Sequence, residues 1–214
     1  GVLRGVLAVP GSRLILQNRD DVRMFTREGL APERSIRFVP GVGVDLDAYS
    51  RAPEPDGRVR IVLPARMLVD KGVNEFVEAA RLLHARGLAA DFVLVGGIDA
   101  DNPAALKAEQ LRAWESEGLV TWAGHCTDMP SMLASAHIVC LPSYREGLPK
   151  ALLEACAAAR PIVTTDVPGC REVVRDGENG LLVRARDAQD LADKLAVLIG
   201  DPALRRRMGQ AGRR

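Results

Sequence analysis

Six short apolar runs, separated by stretches with helical periodicity, constrain the fold of this 214-residue chain more than any other feature. The runs lie at residues 61–63, 92–95, 120–122, 138–141, 161–164 and 181–183. They show little polar alternation, which is typical of strands that are buried on both faces. A parallel sheet covered by helices on each side buries its strands in this way.

The stretches between the runs carry helix signals. Apolar residues at helical spacing over 76–83 predict a helix that Gly87 can end, because glycine is favoured just beyond a helix C-terminus. Pro149 is expected in the first turn of a second helix. Asp187 and Asp190 are candidate caps for a third. Strands and helices alternate in this way over residues 58–200, which predicts an α/β domain with a doubly wound parallel sheet.

The two ends of the chain follow a different pattern. Residues 1–57 are expected to hold the end of an N-terminal domain and a linker, and residues 201–214 the start of a C-terminal helix. The N-terminal part has a predicted strand, helix and strand and then a charged, proline-containing linker, at 14–16, 20–28, 36–39 and 51–58. Two strands and one helix cannot close a core. We therefore expect both ends to be truncated.

Charge and cysteine content exclude several classes of protein. The chain has 29 basic and 28 acidic side chains, so its net charge of +1 gives no reason to expect nucleic acid as a partner. No apolar run approaches the roughly 18 residues of a membrane span. The four cysteines are widely spaced, with no Cys-x-x-Cys pair and no histidine cluster. Buried free thiols are therefore expected rather than a zinc site.

Two cations follow the first strand of the predicted main domain. Ligands of open α/β sheets bind beyond the C-terminal ends of the strands, so residues placed there are candidates. Arg66 and Lys71 lie five residues apart around a predicted strand-to-helix turn. A guanidinium and an ammonium that approach one anion from two sides suit phosphate oxygens. The alternative is a pair of ordinary surface cations.

The fourth strand leads through a glycine turn into a helix, where backbone N–H groups and the helix dipole favour an anion. Glu146 nevertheless stands next to Gly147, and Glu154 follows eight residues later. In a continuous helix these carboxylates would be offset by about 12 Å along the axis. Such an offset does not suit a hydrolase pair, which needs roughly 5–9.5 Å. Two separate contacts with an elongated ligand, such as hydroxyls of a sugar, fit better. The alternative is a dipole partner and a solvated glutamate.

Five motifs follow one another at these positions. They are Arg66…Lys71-Gly72, Gly124, Pro142-Ser143-Tyr144-Arg145-Glu146-Gly147-Leu148-Pro149…Leu153-Glu154-Ala155, Asp166-Val167-Pro168-Gly169 and Asn179-Gly180-Leu181-Leu182-Val183. In this order the motifs resemble the C-terminal, donor-binding half of the family 4 retaining glycosyltransferases, which have the GT-B fold. The resemblance covers residues 12–214. It implies a Rossmann-like donor domain preceded by a remnant of the N-terminal domain.

The resemblance implies a catalytic role for three residues. Arg66 and Lys71 would neutralise the diphosphate of a nucleotide-sugar donor without a metal or other cofactor, and Glu146 would hold hydroxyls of the transferred sugar. The departing nucleoside diphosphate gains negative charge as the sugar becomes oxocarbenium-like. Fixed cations beside it would therefore lower the barrier.

The resemblance also implies donor-binding roles for neighbouring residues. The backbone amides near Gly147 and Leu148 would contact the sugar and phosphate, and Glu154 would bind the ribose hydroxyls. The segment from His125 through Cys126 to Asp128 would border the base, chiefly through backbone groups. His125 itself is a further candidate contact.

The implied activity is transfer of a hexose or N-acetylhexosamine from a nucleotide-diphosphate sugar, with UDP as the expected nucleotide. The acceptor would be a glycan or a lipid-linked sugar in the synthesis of bacterial surface polysaccharide or lipopolysaccharide. It would bind through the N-terminal domain, most of which is expected to be missing, so the fragment alone would be inactive. The stretch 41–45 resembles the interdomain crossover. The intact protein would be cytoplasmic, with possible peripheral contact at the inner membrane.

Several alternatives stay open. A sugar-nucleotide epimerase of the same architecture would need an acid–base group at the sugar, and a non-catalytic nucleotide-sugar-binding module would need none. Asp45-Leu46-Asp47 and Asp99-Ala100-Asp101 have the Asp-x-Asp pattern that holds a metal in the other large glycosyltransferase fold. The arginines at 205, 206, 207, 213 and 214 are expected to form a solvated helix face, with contact to anionic lipid as the alternative.

Overall fold

The computed structural model of the protein describes residues 2–7, 9, 11–41, 43–49 and 52–214. Gly1, Val42 and Arg51, which fall in the expected domain remnant, crossover and linker, lie outside the described residues. The N-terminal unit consists of helix α1 and a two-stranded parallel sheet with one connecting helix. Its elements are α1 (Val2–Leu7), β1 (Leu14–Leu16), α2 (Arg19–Arg27) and β2 (Ile36–Phe38). Sequence analysis does not predict α1.

None of the described residues between 2 and 38, which form the N-terminal unit, belongs to a hydrophobic cluster of the structure. Helix α2 begins at Arg19, one residue before the predicted start, because the Asn18 side chain accepts a hydrogen bond from the Asp21 N–H and caps the helix. None of the residues of α2 is buried. Ile15 and Phe38 on the two strands are exposed. The unit therefore leaves apolar side chains open to solvent.

Six parallel strands form the main sheet, and each of the six predicted strands is confirmed. They are β3 (Arg60–Pro64), β4 (Asp91–Val95), β5 (Thr121–Trp122), β6 (Ile138–Leu141), β7 (Ile162–Thr165) and β8 (Gly180–Val183). Their order is β5-β4-β3-β6-β7-β8. Counted within this domain the order is 3-2-1-4-5-6, the arrangement of Rossmann-like sheets. The strand order reverses between β3 and β6.

Helices cover both faces of the sheet. They are α3 (Val73–Ala85), α4 (Ala108–Ser116), α5 (Met129–Ala134), α6 (Lys150–Ala157), α7 (Cys170–Val173), α8 (Ala188–Gly200) and α9 (Pro202–Gly212). Asp187 caps α8 as predicted, and its carboxylate accepts from the N–H of Asp190. Pro149 is the N-cap of α6 rather than a residue of its first turn.

Two separate hydrophobic clusters show why the strands are apolar throughout. Ile61 of β3 packs with Phe76 of α3 on one face of the sheet. Val139 of β6 packs with Leu152 of α6 in a second cluster. The neighbouring β6 residue, Cys140, belongs to the first cluster, so successive residues of one strand are buried on opposite faces. The doubly wound parallel sheet is thus confirmed.

Helix α9 holds the linker against the main domain, and part of its arginine cluster is buried. Arg205 is only 4% exposed and pairs with Glu54. Arg213 donates to the backbone carbonyls of Leu46 and Tyr49. The prediction of a solvated face is therefore wrong for Arg205 and Arg213, although the other three cluster arginines are exposed: Arg206, Arg207 and Arg214. The helix ends at Gly212 instead of continuing to 214.

The remaining global expectations concern the thiols and the membrane. All four cysteines are free, with Cys140 and Cys170 buried and Cys126 and Cys156 half-buried, so the prediction of free thiols is confirmed. Among the helices that the structure describes, none is both long and apolar enough to cross a bilayer.

Candidate functional site

The predicted phosphate-binding and sugar-binding residues flank the point where the strand order reverses. Loop 65–72 follows β3, and loop 142–149 follows the adjacent strand β6. The first loop leads to α3 and the second to α6, and these helices pack in different hydrophobic clusters. A crevice opens between two such loops, and open α/β sheets bind ligands there. We refer to this place as the crevice.

Lys71 and Glu146 meet directly in the crevice. The Lys71 Nζ lies 2.6 Å from the Glu146 Oε1, and their side chains are 20% and 12% exposed. The Ser143 Oγ donates to the same Glu146 oxygen at 2.7 Å. The carboxylate is thus held by a cation and a hydroxyl, and its position is fixed before any ligand binds.

A glycine allows the two loops to approach each other. Gly72 has φ +73°, and a Cβ at this position would lie 2.1 Å from the carbonyl oxygen of Pro142. The Tyr144 N–H also donates to the carbonyl of Asp70 at 2.9 Å. Any larger residue at 72 would separate the loops, and Lys71 would move away from Glu146.

Arg66 lies at the rim of the crevice, on the same loop as Lys71. Its guanidinium forms an ion pair with Asp99, and its side chain remains 59% exposed. The segment after β4 supports this loop, because the Met67 N–H donates to Gly97 and the Val69 N–H to Ala104. The sequence offers Asp99 as half of a metal-binding pattern. In the structure Asp99 is the counter-ion of Arg66, which is predicted to bind phosphate.

The turn formed by Glu146 and Gly147 is packed closely on its far side by the 166–169 motif. The Glu146 N–H donates to the Pro168 carbonyl at 3.3 Å. Gly169 has φ +83°, and a Cβ there would lie 2.5 Å from the Glu146 carbonyl oxygen. Glycine at 169 is therefore required for this contact. The next residue, Leu148, lies against Gly41 of the crossover segment.

Helix α6 begins behind this turn and presents unsatisfied N–H groups. Its N-cap, Pro149, makes no side-chain capping hydrogen bond. The Lys150 and Ala151 N–H groups consequently have no intrahelical acceptor and are available to an anion, whereas the Leu152 N–H donates to the Pro149 carbonyl. The backbone contribution of Gly147 and Leu148 to donor binding stays a prediction.

Glu154 lies on the second turn of α6, apart from the Lys71–Glu146 pair. Its carboxylate is 3.1 Å from the Lys150 Nζ and its side chain is 11% exposed. The hydroxyl of Tyr49 in the linker donates to it, and burial together with the Glu154 carboxylate raises the pKa of Tyr49. The two glutamates thus have different partners, and their two contacts with an elongated ligand stay a prediction.

The segment after β5 uses its side chains for its own structure. The Asp128 carboxylate accepts from the Ser131 N–H at 3.1 Å and caps α5, and its hydrogen bonds from Ser131 lower the pKa of Asp128. Cys126 packs against the small cluster around Val95. His125 is exposed. The backbone contacts of Cys126 and Asp128 with a base stay a prediction.

The Asp-x-Asp patterns do not gather into a metal site. Within the described ranges, no three histidine, cysteine, aspartate or glutamate side chains come close enough to hold a metal ion. The Asp45 carboxylate accepts from the N–H of Asp47. Asp99 pairs with Arg66.

Four residues contact the predicted donor-site residues, and the sequence patterns did not identify them as supports of those residues. Ser143, Asp99 and Tyr49 hold Glu146, Arg66 and Glu154 respectively, and Asn18 reaches the turn at Gly147. A signal existed only for Ser143, which stands three residues before Glu146 in the same loop. The other three approach from segments distant in sequence.

The fold and the crevice define a Rossmann-like ligand-binding domain with basic groups at its strand-order reversal. A family model described as glycosyl transferases group 1 matches residues 58–201. The chain belongs to this family of glycosyltransferases.

A curated relative is 37% identical over 206 residues, which cover 90% of this chain and 52% of the relative. It is the N,N'-diacetylbacillosaminyl-diphospho-undecaprenol alpha-1,3-N-acetylgalactosaminyltransferase of Campylobacter jejuni. The chain spans about half the length of curated relatives such as this one.

Two solved structures show the same fold. Anabaena HepE in complex with UDP-glucose has a TM-score of 0.81 at 18% identity, covering 99% of this chain and 61% of that one. WaaG, a glycosyltransferase involved in lipopolysaccharide biosynthesis, has a TM-score of 0.80 at 19% identity, covering 96% and 58%. Both solved structures have the GT-B fold, so the predicted Rossmann-like GT-B fold is confirmed.

Proposed function

We propose that this chain is the donor-binding part of a retaining glycosyltransferase that transfers a hexose or N-acetylhexosamine from a nucleotide-diphosphate sugar. One observation carries the proposal: the Lys71 ammonium and the Glu146 carboxylate lie 2.6 Å apart where the strand order reverses, with Arg66 on the same loop. A cation next to a hydrogen-bond acceptor suits a ligand in which a charged diphosphate adjoins a neutral sugar.

Arg66 and Lys71 have the same task in this proposal. They neutralise the diphosphate, and the open N–H groups at the start of α6 add to their field. Because negative charge grows on the leaving diphosphate as the sugar–oxygen bond breaks, these groups stabilise the transition state more than the ground state. Glu146 accepts hydrogen bonds from sugar hydroxyls, and Ser143 keeps its carboxylate in place.

The rest of the donor would lie along the crevice. Glu154 would bind the ribose hydroxyls after exchanging its contact with Lys150. The backbone from Cys126 to Asp128 would border the base, and the backbone of Gly147 and Leu148 would contact the sugar and phosphate. No metal or organic cofactor has a part in this scheme.

The relatives support a choice of donor and acceptor. The Campylobacter jejuni relative is named for a diphospho-undecaprenol acceptor, and the HepE structure holds UDP-glucose. We propose UDP as the donor nucleotide, and a glycan or lipid-linked sugar of surface-polysaccharide or lipopolysaccharide synthesis as the acceptor. The acceptor would bind mainly through residues outside this chain. The intact protein would act in the cytoplasm, in peripheral contact with the inner membrane.

Calorimetric titration of the folded chain with UDP, GDP and ADP tests the donor site. We expect heat of binding with UDP, and a folded sample that binds none of the three nucleotides would overturn the proposal. Glu154→Ala should weaken UDP binding, because the ribose contacts are lost, whereas undiminished affinity would refute the ribose role. Glu78→Ala is the matched control, since Glu78 forms a surface ion pair with Arg81 on α3.

A second comparison separates the two glutamates. Glu146→Ala should leave UDP affinity nearly unchanged and weaken binding of the UDP-sugar, because UDP lacks the hydroxyls that Glu146 contacts. Equal loss of both affinities would contradict the assignment of Glu146 to the sugar.

A further inference from the structure

Asn18 is fully buried, although it belongs to the N-terminal unit, none of whose described residues belongs to a hydrophobic cluster. Its Oδ1 accepts from the Asp21 N–H at 2.7 Å, which caps α2. Its Nδ2 donates to the Asp21 carboxylate at 2.8 Å and to the Gly147 carbonyl at 2.9 Å. The side chain therefore joins the N-terminal unit to the sugar-side turn of the crevice.

Helix capping explains the hydrogen bond that the Asn18 side-chain oxygen accepts, but not the one that its NH2 group donates to Gly147. An N-cap needs an oxygen acceptor, which serine, threonine or aspartate supplies as well as asparagine does. The amide NH2 is what distinguishes asparagine here, and one of its hydrogens is directed to the backbone of the turn. The contact that capping does not account for is thus the one made with Gly147.

The turn is held between two segments. On one side the 166–169 motif contacts the backbone of Glu146 and Gly147. On the other side Asn18 donates to the Gly147 carbonyl, and a Cβ at Gly147 would lie 2.6 Å from the Gln17 Oε1. A residue larger than glycine at 147 would displace this flexible side chain.

Other contacts between the N-terminal unit and the main domain include ion pairs near the surface. Arg145 pairs with Asp21, and Arg171 pairs with Asp20, with the two arginine side chains 57% and 39% exposed. Exposed pairs of this kind contribute little and are screened by salt. Asn18 contributes to this contact area from a fully buried side chain, so we expect its amide to have the greater influence on the geometry of the turn.

We infer that Asn18 is a positioning residue for the donor sugar: its amide fixes the Glu146–Gly147 turn from the N-terminal unit, so the turn has its sugar-binding shape only while that unit is docked. This inference rests on the proposed function of Glu146. Asn18 itself need not touch the donor. Docking of the N-terminal unit would thereby favour binding of the sugar over binding of the nucleotide alone.

The test uses Asn18→Ser, which keeps an N-cap oxygen for α2 and removes the amide donor. UDP, UDP-glucose and UDP-N-acetylglucosamine are titrated into the parent chain and the variant. We expect UDP affinity to stay within about twofold, while the affinity of the better-binding UDP-sugar falls roughly 3- to 10-fold, which corresponds to the loss of one neutral hydrogen bond. Hydrogen exchange of the amides at 146–148 should accelerate by a similar factor.

Asp20→Asn is the matched control, because it weakens the surface pair with Arg171 on the same helix end and should change neither readout. If the parent binds no UDP, the proposed function fails and this inference fails with it. If the parent binds UDP but Asn18→Ser changes neither the ratio of the UDP-sugar and UDP affinities nor the exchange at 146–148, only this inference is overturned. Equal loss of UDP and UDP-sugar binding would also overturn it, since Asn18 would then have a merely structural role.

Discussion

Two groups of basic side chains in this molecule differ in burial and in the number of their hydrogen-bond partners. Arg160 and Arg205, behind the linker, are almost completely buried, with exposures of 3% and 4%. Arg160 donates to four backbone carbonyls, those of Ala52, Pro53, Leu133 and Ala134. Arg66, at the rim of the crevice, pairs with one carboxylate and is largely exposed. Lys71 forms an ion pair with the Glu146 carboxylate.

This difference separates cations that hold the fold from cations that can receive a ligand. A buried guanidinium is tolerated only when its N–H groups are hydrogen-bonded, so a fully bonded arginine has no donor left for a substrate. A cation with one exchangeable partner keeps donors free and can give up its carboxylate to a phosphate. Substitutions in the two groups should therefore affect different quantities.

The largest effect is expected for Arg160→Leu. Four carbonyls would lose their donor at once, and the free energy of unfolding should fall by about 2–4 kcal/mol. Urea denaturation followed by circular dichroism measures this change. Arg206→Leu, on the exposed side of α9, is the control and should stay within about 0.5 kcal/mol. A similar loss in both variants would remove the distinction.

Lys71→Met should act on binding more than on stability. Loss of a charge-assisted contact with the diphosphate predicts a fall in UDP affinity of about 10- to 100-fold, measured by calorimetry. Destabilisation as large as that of Arg160→Leu, with UDP affinity retained, would place Lys71 among the structural cations.

Arg66→Ala should lower UDP affinity by about tenfold and leave stability within about 1 kcal/mol, because an exposed ion pair contributes little to folding. The same titration and denaturation experiments apply. If raising the salt concentration does not weaken UDP binding to the parent chain, the electrostatic role of Arg66 is contradicted.

The smallest effect concerns His137, beside the structural arginines. Burial lowers the pKa of His137, with a further contribution from Arg205 and an opposing one from Glu54. Because the unfolded chain binds a proton at higher pH than the folded chain, stability should decrease as the pH falls through about 6.5 and level off below the folded-state pKa. Denaturation midpoints from pH 8 to 5 measure this slope. His137→Gln should reduce it, and the exposed control His84→Gln should not.

Local patterns were sufficient for the sheet and for most of the crevice. Continuous apolar runs identify strands because burial on both faces leaves no place for polar residues, and the strand-end rule then places Arg66, Lys71 and Glu146 together. Contacts between distant segments could not be read in this way. The solvated face assigned to Arg205 was wrong because its partner, Glu54, lies far away in the sequence. The same holds for Asn18 and Gly147.

The contacts of the linker limit how it can move. Arg213 donates to the backbone carbonyls of Leu46 and Tyr49, Arg160 donates to those of Ala52 and Pro53, and Arg205 donates to the Glu54 carboxylate. The described parts of this stretch, 46–49 and 52–54, therefore move together with the Rossmann-like domain. A hinge between that domain and the upstream part would lie before Leu46, so Tyr49 would stay hydrogen-bonded to Glu154 while the upstream part moves.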